Sequence, residues 1–291
     1  MNNCPAIYSR RAPVYETSMR ITLLTNRDLA SNYALNLLLP ALSGSHSLQV
    51  LYSSTVGKAP THPQLATLRF FEQTLPNNLL FPLIDQQRTQ GELLTFAGLE
   101  RYLTAPIRPL NEPNSSEGLK ILGATAPELI VSIRYGCILH LEALSIPQLG
   151  TLNLHSGRLP AYRGVMATFR AMLAEDEELC STLHWIDDDT IDTGRIISVQ
   201  RHPRDRRHCY LANTLSLYPS GCEALIQTVD LLEQRQDLPH VQTNEPGDYH
   251  SFPDQASIDQ FNQAGHLWAE PEFLASFCAR FMPQTIQPGR Y

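Results

Sequence analysis

Short apolar runs alternate along the chain with longer segments in which apolar residues recur every three to four positions. The run at 129–133 is apolar except for one serine, which is typical of a strand buried on both faces. Similar short runs predict the other strands. These lie at 20–25, 48–52, 182–186 and 195–199, with a short extended piece at 107–110.

The longer periodic segments predict the helices that separate these strands. They lie at 29–42, 64–74, 83–103 and 211–234. Another helix is predicted after Asn114, because Asn114 and Glu117 have the spacing of a capping box. Strands that alternate with helices indicate an α/β fold, with a mostly parallel sheet covered by helices on both faces.

Changes in composition suggest three segments. Residues 1–18 contain two arginines but no apolar core, so we expect an N-terminal extension and not a secretory signal. Met19 directly precedes the first predicted strand and is the alternative start of translation. Residues 19–236 are expected to form the main domain. Residues 237–291 begin with many Pro, Gln, Asn and Asp residues before one or two short helices, so we expect a short C-terminal appendage packed on that domain.

Charge and composition narrow the classes of function. The chain has a net charge of −7 and no basic stripe, so a nucleic-acid partner is not expected. No apolar run approaches the ~20 residues that cross a bilayer, so no membrane association is expected. The six cysteines lie far apart, which predicts reduced cytosolic thiols and neither a disulfide framework nor a metal site.

Residues that could carry chemistry gather in two segments. The first runs from Gly150 to Gly164 and contains Asn153 and His155. Because these two are two residues apart, their side chains share one face of an extended segment. The second is an acidic loop between two predicted strands, and it contains Asp187–Asp189 and Asp192.

An amide, an imidazole and a carboxylate can together catalyse acyl transfer to an amine. Attack of the amine creates an oxyanion, which the Asn153 amide or a protonated His155 can stabilise. Histidine exchanges protons near neutral pH, and Asp192 can orient it or accept a proton. Each segment alone has an ordinary structural interpretation, since a histidine at a strand end usually serves packing and an Asp-rich loop is usually a solvated turn.

Taken together, the two segments resemble the N-terminal domain of the family of 10-formyltetrahydrofolate-dependent formyltransferases and hydrolases. The family motif joins an Asn-x-His pair to Leu-Pro and Tyr-Arg-Gly, and a Leu/Ile-Asp-Thr/Gly-Gly turn follows. This chain reads NLHSGRLPAYRG from 153 and IDTG from 191. The resemblance covers about residues 20–235. It implies a Rossmann-like fold with the site at the carboxyl ends of the strands, and catalysis by Asn153, His155 and Asp192.

The resemblance also implies where the formyl donor, 10-formyltetrahydrofolate, binds. In the family, a segment just before the Asn-x-His strand lines the pterin site with its backbone, and an acidic loop forms the opposite wall. The first segment corresponds here to Tyr135, Gly136, Cys137, Ile138 and Leu139, and the loop to Asp187, Asp188 and Asp189.

Departures from the family motif indicate a small-molecule acceptor. Purine-pathway enzymes hold a phosphate with a glycine-rich loop, but the corresponding residues 25–28 contain no glycine. The tail has about half the length of the barrel in methionyl-tRNA enzymes. We therefore expect transfer of formyl to the amine or hydroxylamine of a small molecule in a biosynthetic reaction. Hydrolysis of the donor, a methionyl-tRNA-like activity and a non-catalytic folate-binding role are the alternatives, and a monomer and a homodimer are both compatible with the sequence.

Overall fold

The computed structural model describes residues 18–54, 62–87, 89–242 and 247–283, so almost all of the predicted N-terminal extension lies outside the described residues. Within these ranges, nine strands form two sheets. The strands are β1 (Arg20–Asn26), β2 (Ser47–Ser53), β3 (Arg108–Pro109), β4 (Leu129–Ile133), β5 (Gly150–His155), β6 (Tyr162–Gly164), β7 (Glu178–Trp185), β8 (Ile196–Pro203) and β9 (Asp248–His250).

The main sheet has seven strands in the order β3-β2-β1-β4-β5-β7-β8. The pairs from β3 to β5 are parallel, whereas β5–β7 and β7–β8 are antiparallel. The prediction of a mostly parallel sheet is thus confirmed. Every residue of β4 is buried, as its apolar run predicts. The carboxyl ends of β1, β4 and β5 lie side by side in the middle of the sheet.

Helices cover both faces of this sheet. Leu23 and Val131 pack in the larger core cluster, while their neighbours Leu24 and Ile130 pack in a smaller one on the other face. The helices are α1 (Leu29–Leu42), α2 (Pro63–Arg69), α3 (Phe81–Ile84), α4 (Phe96–Leu99), α5 (Ser116–Gly123), α6 (Leu141–Leu144), α7 (Ala167–Leu173), α8 (Tyr210–Leu215), α9 (Tyr218–Glu233), α10 (Gln255–Gln263) and α11 (Pro271–Ala279). A π-helix, Phe70–Leu80, joins α2 to α3, and a 3₁₀ turn, Glu100–Tyr102, follows α4.

The helix predicted at 83–103 is wrong. The helical run that starts at 63 ends at Ile84, so only the last two residues of α3 and the four residues of α4 are α-helical in the predicted range. The Leu93 N–H donates to the carbonyl of Arg280, so this segment is held by the tail. Thr95 then starts α4 by accepting a hydrogen bond from the Gly98 N–H. Tertiary pairing and a new cap therefore override the apolar periodicity.

Two further sequence predictions need correction. Ser115, and not Asn114, caps α5, because its hydroxyl accepts from the Gly118 N–H. Asn114 instead bonds to the backbone of Ile138 and His140. The helix predicted at 211–234 is two helices, α8 and α9. Pro219 in the first turn of α9 has no N–H to continue a helix from α8.

The tail packs on the same core as the sheet. Phe261 and Trp268 surround Phe169 of α7, with ring centroids 4.9 and 5.3 Å from it. β9 forms its two-stranded parallel sheet with β6. No helix among the described residues is both long and apolar enough to cross a membrane. The five cysteines within the described ranges are all free thiols.

Candidate functional site

Asn153, His155 and Asp192 meet at one wall of a cavity of about 420 Å³. The first two lie two residues apart on β5, and Asp192 comes from the loop between β7 and β8. His155 Nδ1 is 3.5 Å from Asp192 Oδ2, and Asn153 Nδ2 is 3.4 Å from Asp192 Oδ1. The structure thus brings together the three side chains that the sequence singles out as catalytic.

His155 is buried and its ring is fixed on both sides. Its Nε2 lies 2.8 Å from the backbone carbonyl of Tyr162. A carbonyl only accepts hydrogen bonds, so Nε2 carries a hydrogen and donates it. The other ring nitrogen, Nδ1, faces Asp192. A proton on Nδ1 would therefore meet a carboxylate, and the imidazolium form of His155 has an acceptor for each of its hydrogens.

Asp192 is held as an ionised carboxylate. It has a left-handed backbone (φ 56°), a conformation that Asp tolerates better than most residues. Burial alone would raise its pKa, but the charge of His155, the adjacent His184 ring and the Gly164 N–H outweigh burial and lower the pKa well below its usual range. The Gly164 N–H donates to Oδ2 at 2.8 Å. A Cβ at Gly164 would lie 2.2 Å from the His250 carbonyl oxygen, so this donor position requires glycine.

His184 is a site residue that the sequence analysis missed. It is buried in β7 directly opposite Asn153 in the antiparallel register. Its Nδ1 lies 2.8 Å from the Trp185 carbonyl, so Nδ1 donates and Nε2 can accept from Asn153 Nδ2 at 3.0 Å. Nε2 is also 3.5 Å from Asp192 Oδ1. Only the register of β5 against β7 reveals this contact, and the sequence does not state that register.

Most of the residues predicted to hold the formyl donor line the same cavity. These are Tyr135, Gly136, Cys137, Ile138, Leu139, Asp188 and Asp189. Asp187 is not among the cavity-lining residues. Its carboxylate accepts from the Arg195 guanidinium at 2.9 Å and from the Arg195 N–H at 3.0 Å, so it fixes the base of the loop instead.

The wall formed by residues 135–139 has backbone donors and an apolar side chain that a ligand could contact. The backbone N–H groups of Cys137 and Leu139 donate to no other described residue, so they can bind a ligand. Ile138 is half exposed at this wall and offers an apolar contact. Within the described parts of the chain, no group of three or more His, Cys, Asp or Glu side chains could hold a metal ion.

The cavity also has a polar end that the sequence analysis did not identify. It is built by the β1–α1 turn, by α2 with the π-helix, and by the residue that follows β4. The charged and polar residues there are Asn26, Asp28, Arg69, Glu72, Gln73 and Arg134.

Comparison with a protein-family model agrees with the resemblance seen in the sequence. Residues 102–206 match the model described as formyl transferase. This range contains Asn153, His155, His184 and Asp192.

Two curated relatives show how far the similarity extends. A methionyl-tRNA formyltransferase from Syntrophomonas wolfei is 29% identical over 212 residues, which cover 71% of this chain and 64% of that protein. A methionyl-tRNA formyltransferase from Thermus thermophilus is 35% identical over 144 residues, which cover 48% and 46%. The chain therefore spans about half to just under two thirds of the length of these relatives.

Solved structures share the fold at low sequence identity. Glycinamide ribonucleotide transformylase 1 from Symbiobacterium toebii superimposes with a TM-score of 0.56 and 13% identity, over 81% of this chain and 100% of that one. A sugar N-formyltransferase from Shewanella sp. gives 0.52 and 16%, over 89% and 87%. A sugar 3-N-formyltransferase crystallised in the presence of dTDP and 5-N-formyl-tetrahydrofolate gives 0.50 and 16%, over 81% and 70%.

Proposed function

We propose that this chain, whose residues 102–206 match the model described as formyl transferase, transfers a formyl group from 10-formyltetrahydrofolate to the amine of a small-molecule acceptor. One observation carries the proposal: Asn153, His155 and Asp192 converge on a cavity that the segment 135–139 also lines. The side chains proposed to catalyse the transfer and the segment proposed to bind the donor therefore line the same cavity.

The three side chains have complementary roles in this reaction. In the transfer, the formyl carbon loses its bond to the donor nitrogen and gains one to the acceptor nitrogen. A protonated His155 has a proton on Nδ1, where its contact with Asp192 is long at 3.5 Å, so this imidazolium can stabilise charge on the formyl oxygen and deliver the proton to the departing nitrogen. Asp192 holds that imidazolium and receives the proton of the acceptor amine, directly or through water.

Asn153 contributes through one hydrogen of its amide. The other hydrogen is used by His184 at 3.0 Å. The remaining N–H has only the long 3.4 Å contact with Asp192, so it can turn to the formyl oxygen when substrate is bound. His184 thereby fixes the direction in which the amide points.

The donor is expected to bind against the wall formed by Tyr135–Leu139 and by Asp188 and Asp189. The free backbone N–H groups of Cys137 and Leu139 supply directional contacts there. The structural neighbour crystallised with 5-N-formyl-tetrahydrofolate supports a folate donor for this fold.

Formylation of methionyl-tRNA is a second candidate, because curated relatives at 29–35% identity carry that name. Two observations favour the small acceptor. The net charge of −7 opposes binding of a polyanion. Residues 248–279 contain two helices and one three-residue strand, which leaves no barrel in that part of the described tail.

The test is formyl transfer by the purified chain. The protein is incubated with 10-formyltetrahydrofolate and separately with nucleotide-linked amino sugars, amino acids that carry a side-chain amine, and methionyl-tRNA. Product mass is then read for one added formyl group. A formylated small amine supports the proposal, and formylated methionyl-tRNA alone replaces it with the second candidate. Rapid donor consumption without any acceptor would indicate a hydrolase, and inertness with retained folate binding a non-catalytic relative.

A further inference from the structure

The polar end of the cavity lies beside the catalytic residues but has no part in the transfer step or in the predicted donor site. Asp28 and Arg134 form its base. Arg134 Nε donates to Asp28 Oδ2 at 2.9 Å, and Asp28 is only 1% exposed. Because these two charges neutralise each other, the pair stabilises the fold and contributes little to ligand binding.

Asp28 also removes the most obvious site for a phosphate. The N-terminus of a helix after a β-strand attracts anions, because its first N–H groups lack partners. Here Asp28 is the N-cap of α1, and its own Oδ1 accepts from the Ser31 N–H at 2.7 Å. A buried carboxylate therefore occupies the place of an anionic ligand. An acceptor that anchors itself through a phosphate does not fit this end of the cavity.

The other ionisable groups at this end are Glu72 and Arg69, and among the described residues neither has an ion-pair contact shorter than 3.5 Å. The Glu72 side chain is 12% exposed, and within the described ranges its one contact with a charged partner is the 3.5 Å approach of Arg134 Nη2. Arg69 Nε donates to the amide oxygen of Gln73 at 3.1 Å. No carboxylate of the described residues lies within ion-pair distance of the Arg69 guanidinium.

We propose that Glu72 and Arg69 bind the head group of an α-amino acid, so that the acceptor is an amino acid whose side-chain amine receives the formyl group. Glu72 would take the α-ammonium and Arg69 the α-carboxylate. The inference rests on the proposed function, since it names the acceptor class of the same site. A guanidinium matches a carboxylate with two parallel hydrogen bonds, and a carboxylate accepts from an ammonium, so both ends of the zwitterion meet a complementary charge.

The protonation of Glu72 agrees with this assignment. Burial raises the pKa of Glu72 to about 7, while Arg134 lowers it and Asp28 raises it. An ammonium placed beside Glu72 would favour its charged form. A cationic ligand would therefore complete the ionisation of this carboxyl.

The experiment uses three probes that differ by one charged group. L-Lysine carries both head-group charges, 1,5-diaminopentane lacks the carboxylate, and 6-aminohexanoate lacks the α-ammonium. Each is also tested one methylene shorter, so that reach does not decide the result. We measure kcat/KM for formyl transfer from 10-formyltetrahydrofolate. Since a charged hydrogen bond contributes about 1.5–3 kcal/mol, the amino acid should be preferred about 10–100-fold over each truncated probe.

Two variants assign the two contacts. In Arg69→Gln, the amino acid should lose its advantage over the diamine but keep its advantage over the aminohexanoate. In Glu72→Gln, the amino acid should keep its advantage over the diamine but lose its advantage over the aminohexanoate. The exposed pair Glu117 and Lys120 provides matched controls, because Glu117→Gln and Lys120→Gln remove the same kinds of charge from residues that do not line the cavity. Melting temperature and 5-formyltetrahydrofolate binding verify that each variant is folded.

The outcomes separate this inference from the proposed function. Equal turnover of all three probes, or variants that slow all three equally, would overturn the assignment of Glu72 and Arg69. Transfer to nucleotide-linked amino sugars but to no amino acid would also overturn it, and would leave the proposed function intact. Absence of transfer to every amine, by a protein that binds folate, would count against the proposed function itself.

Discussion

Asn153 donates a hydrogen of its side-chain amide to His184 Nε2 at 3.0 Å, across the antiparallel pair β5–β7. The Trp185 carbonyl fixes the His184 tautomer that makes this bond possible. A residue of the neighbouring strand thus orients an amide that the sequence motif presents as acting alone.

We expect His184→Phe to lower kcat by roughly 10²-fold with little change in the KM for the donor, because a misdirected amide disturbs geometry more than binding. His184→Gln retains a side-chain oxygen that can accept from Asn153, so it should recover much of the activity. Steady-state kinetics of both variants provide the measurement. Equal losses in the two variants would assign His184 to packing.

His155→Ala should lower kcat by about 10²–10⁴, the range for a lost acid–base group. The carbonyl of Tyr162 loses its donor in this variant, so a small drop in melting temperature is expected as well. Binding of 5-formyltetrahydrofolate should be nearly unchanged. His208→Ala, in an exposed basic loop, is the control. Near-normal turnover of His155→Ala would remove this residue from the mechanism.

Asp192→Asn should reduce transfer by at least about 100-fold, because an amide neither holds an imidazolium nor accepts a proton. The depressed pKa of Asp192 means that its ion pairs stabilise the fold above the unfolded pKa and that this stability is lost as pH falls below about 4. The Asp192→Asn variant should therefore lack this loss of stability as pH falls. Melts from pH 3 to 7, with Asp259→Asn on an exposed helix face as control, test both points. A well-folded and fully active variant would leave Asp192 a turn residue.

Glu72 should make the protein less stable as pH rises. Its pKa is about 7 in the folded state, mainly through burial, against an ordinary value of 4.5. The folded state therefore holds an extra proton between these values, and the free energy of unfolding falls as pH increases through this window. In Glu72→Gln this loss is absent, so its melting temperature should rise relative to wild type from pH 5 to pH 8. A difference that stays constant across this range would contradict the buried carboxyl.

The tail is expected to unfold together with the main domain. Phe261 is completely buried against Phe169 and Trp268, so Phe261→Ala should cost about 3–5 kcal/mol and lower a single transition. Leu267→Ala, at a half-exposed tail position, should have little effect. Calorimetry that resolved a separate transition for the tail would show that residues 237–291 fold independently.

The sequence predicts the fold best where a segment's own pattern decides its structure. The predictions for β1, α1 and β4 follow from apolar runs that are buried as expected. Prediction fails where a distant segment decides. The Leu93 N–H donates to the Arg280 carbonyl of the tail, and the segment 83–103 forms no long helix. The local sequence also predicts the wrong N-cap near 114, because the Asn114 side chain bonds to the Ile138 carbonyl and Ser115 caps α5.

The candidate site shows the same division. Asn153, His155 and Asp192 belong to motifs that can be read along the chain, and the structure places them in contact. His184 and Glu72 have no such motif, because their roles depend on a strand register and on the packing of the π-helix. Burial and pairing, which a sequence does not display, give these two residues their chemical character.

The pairing of β6 with β9 also determines when the site can form during synthesis. Gly164 on β6 donates to the Asp192 carboxylate, and β9, whose first residue Asp248 lies opposite Tyr162, is the partner strand of β6 among the described residues. Tyr249 and Phe252 then complete the cavity wall. A ribosome adds about 5–20 residues each second, so several seconds separate the emergence of the two strands. A nascent chain can therefore assemble its main sheet well before the Asp192 carboxylate is held in place.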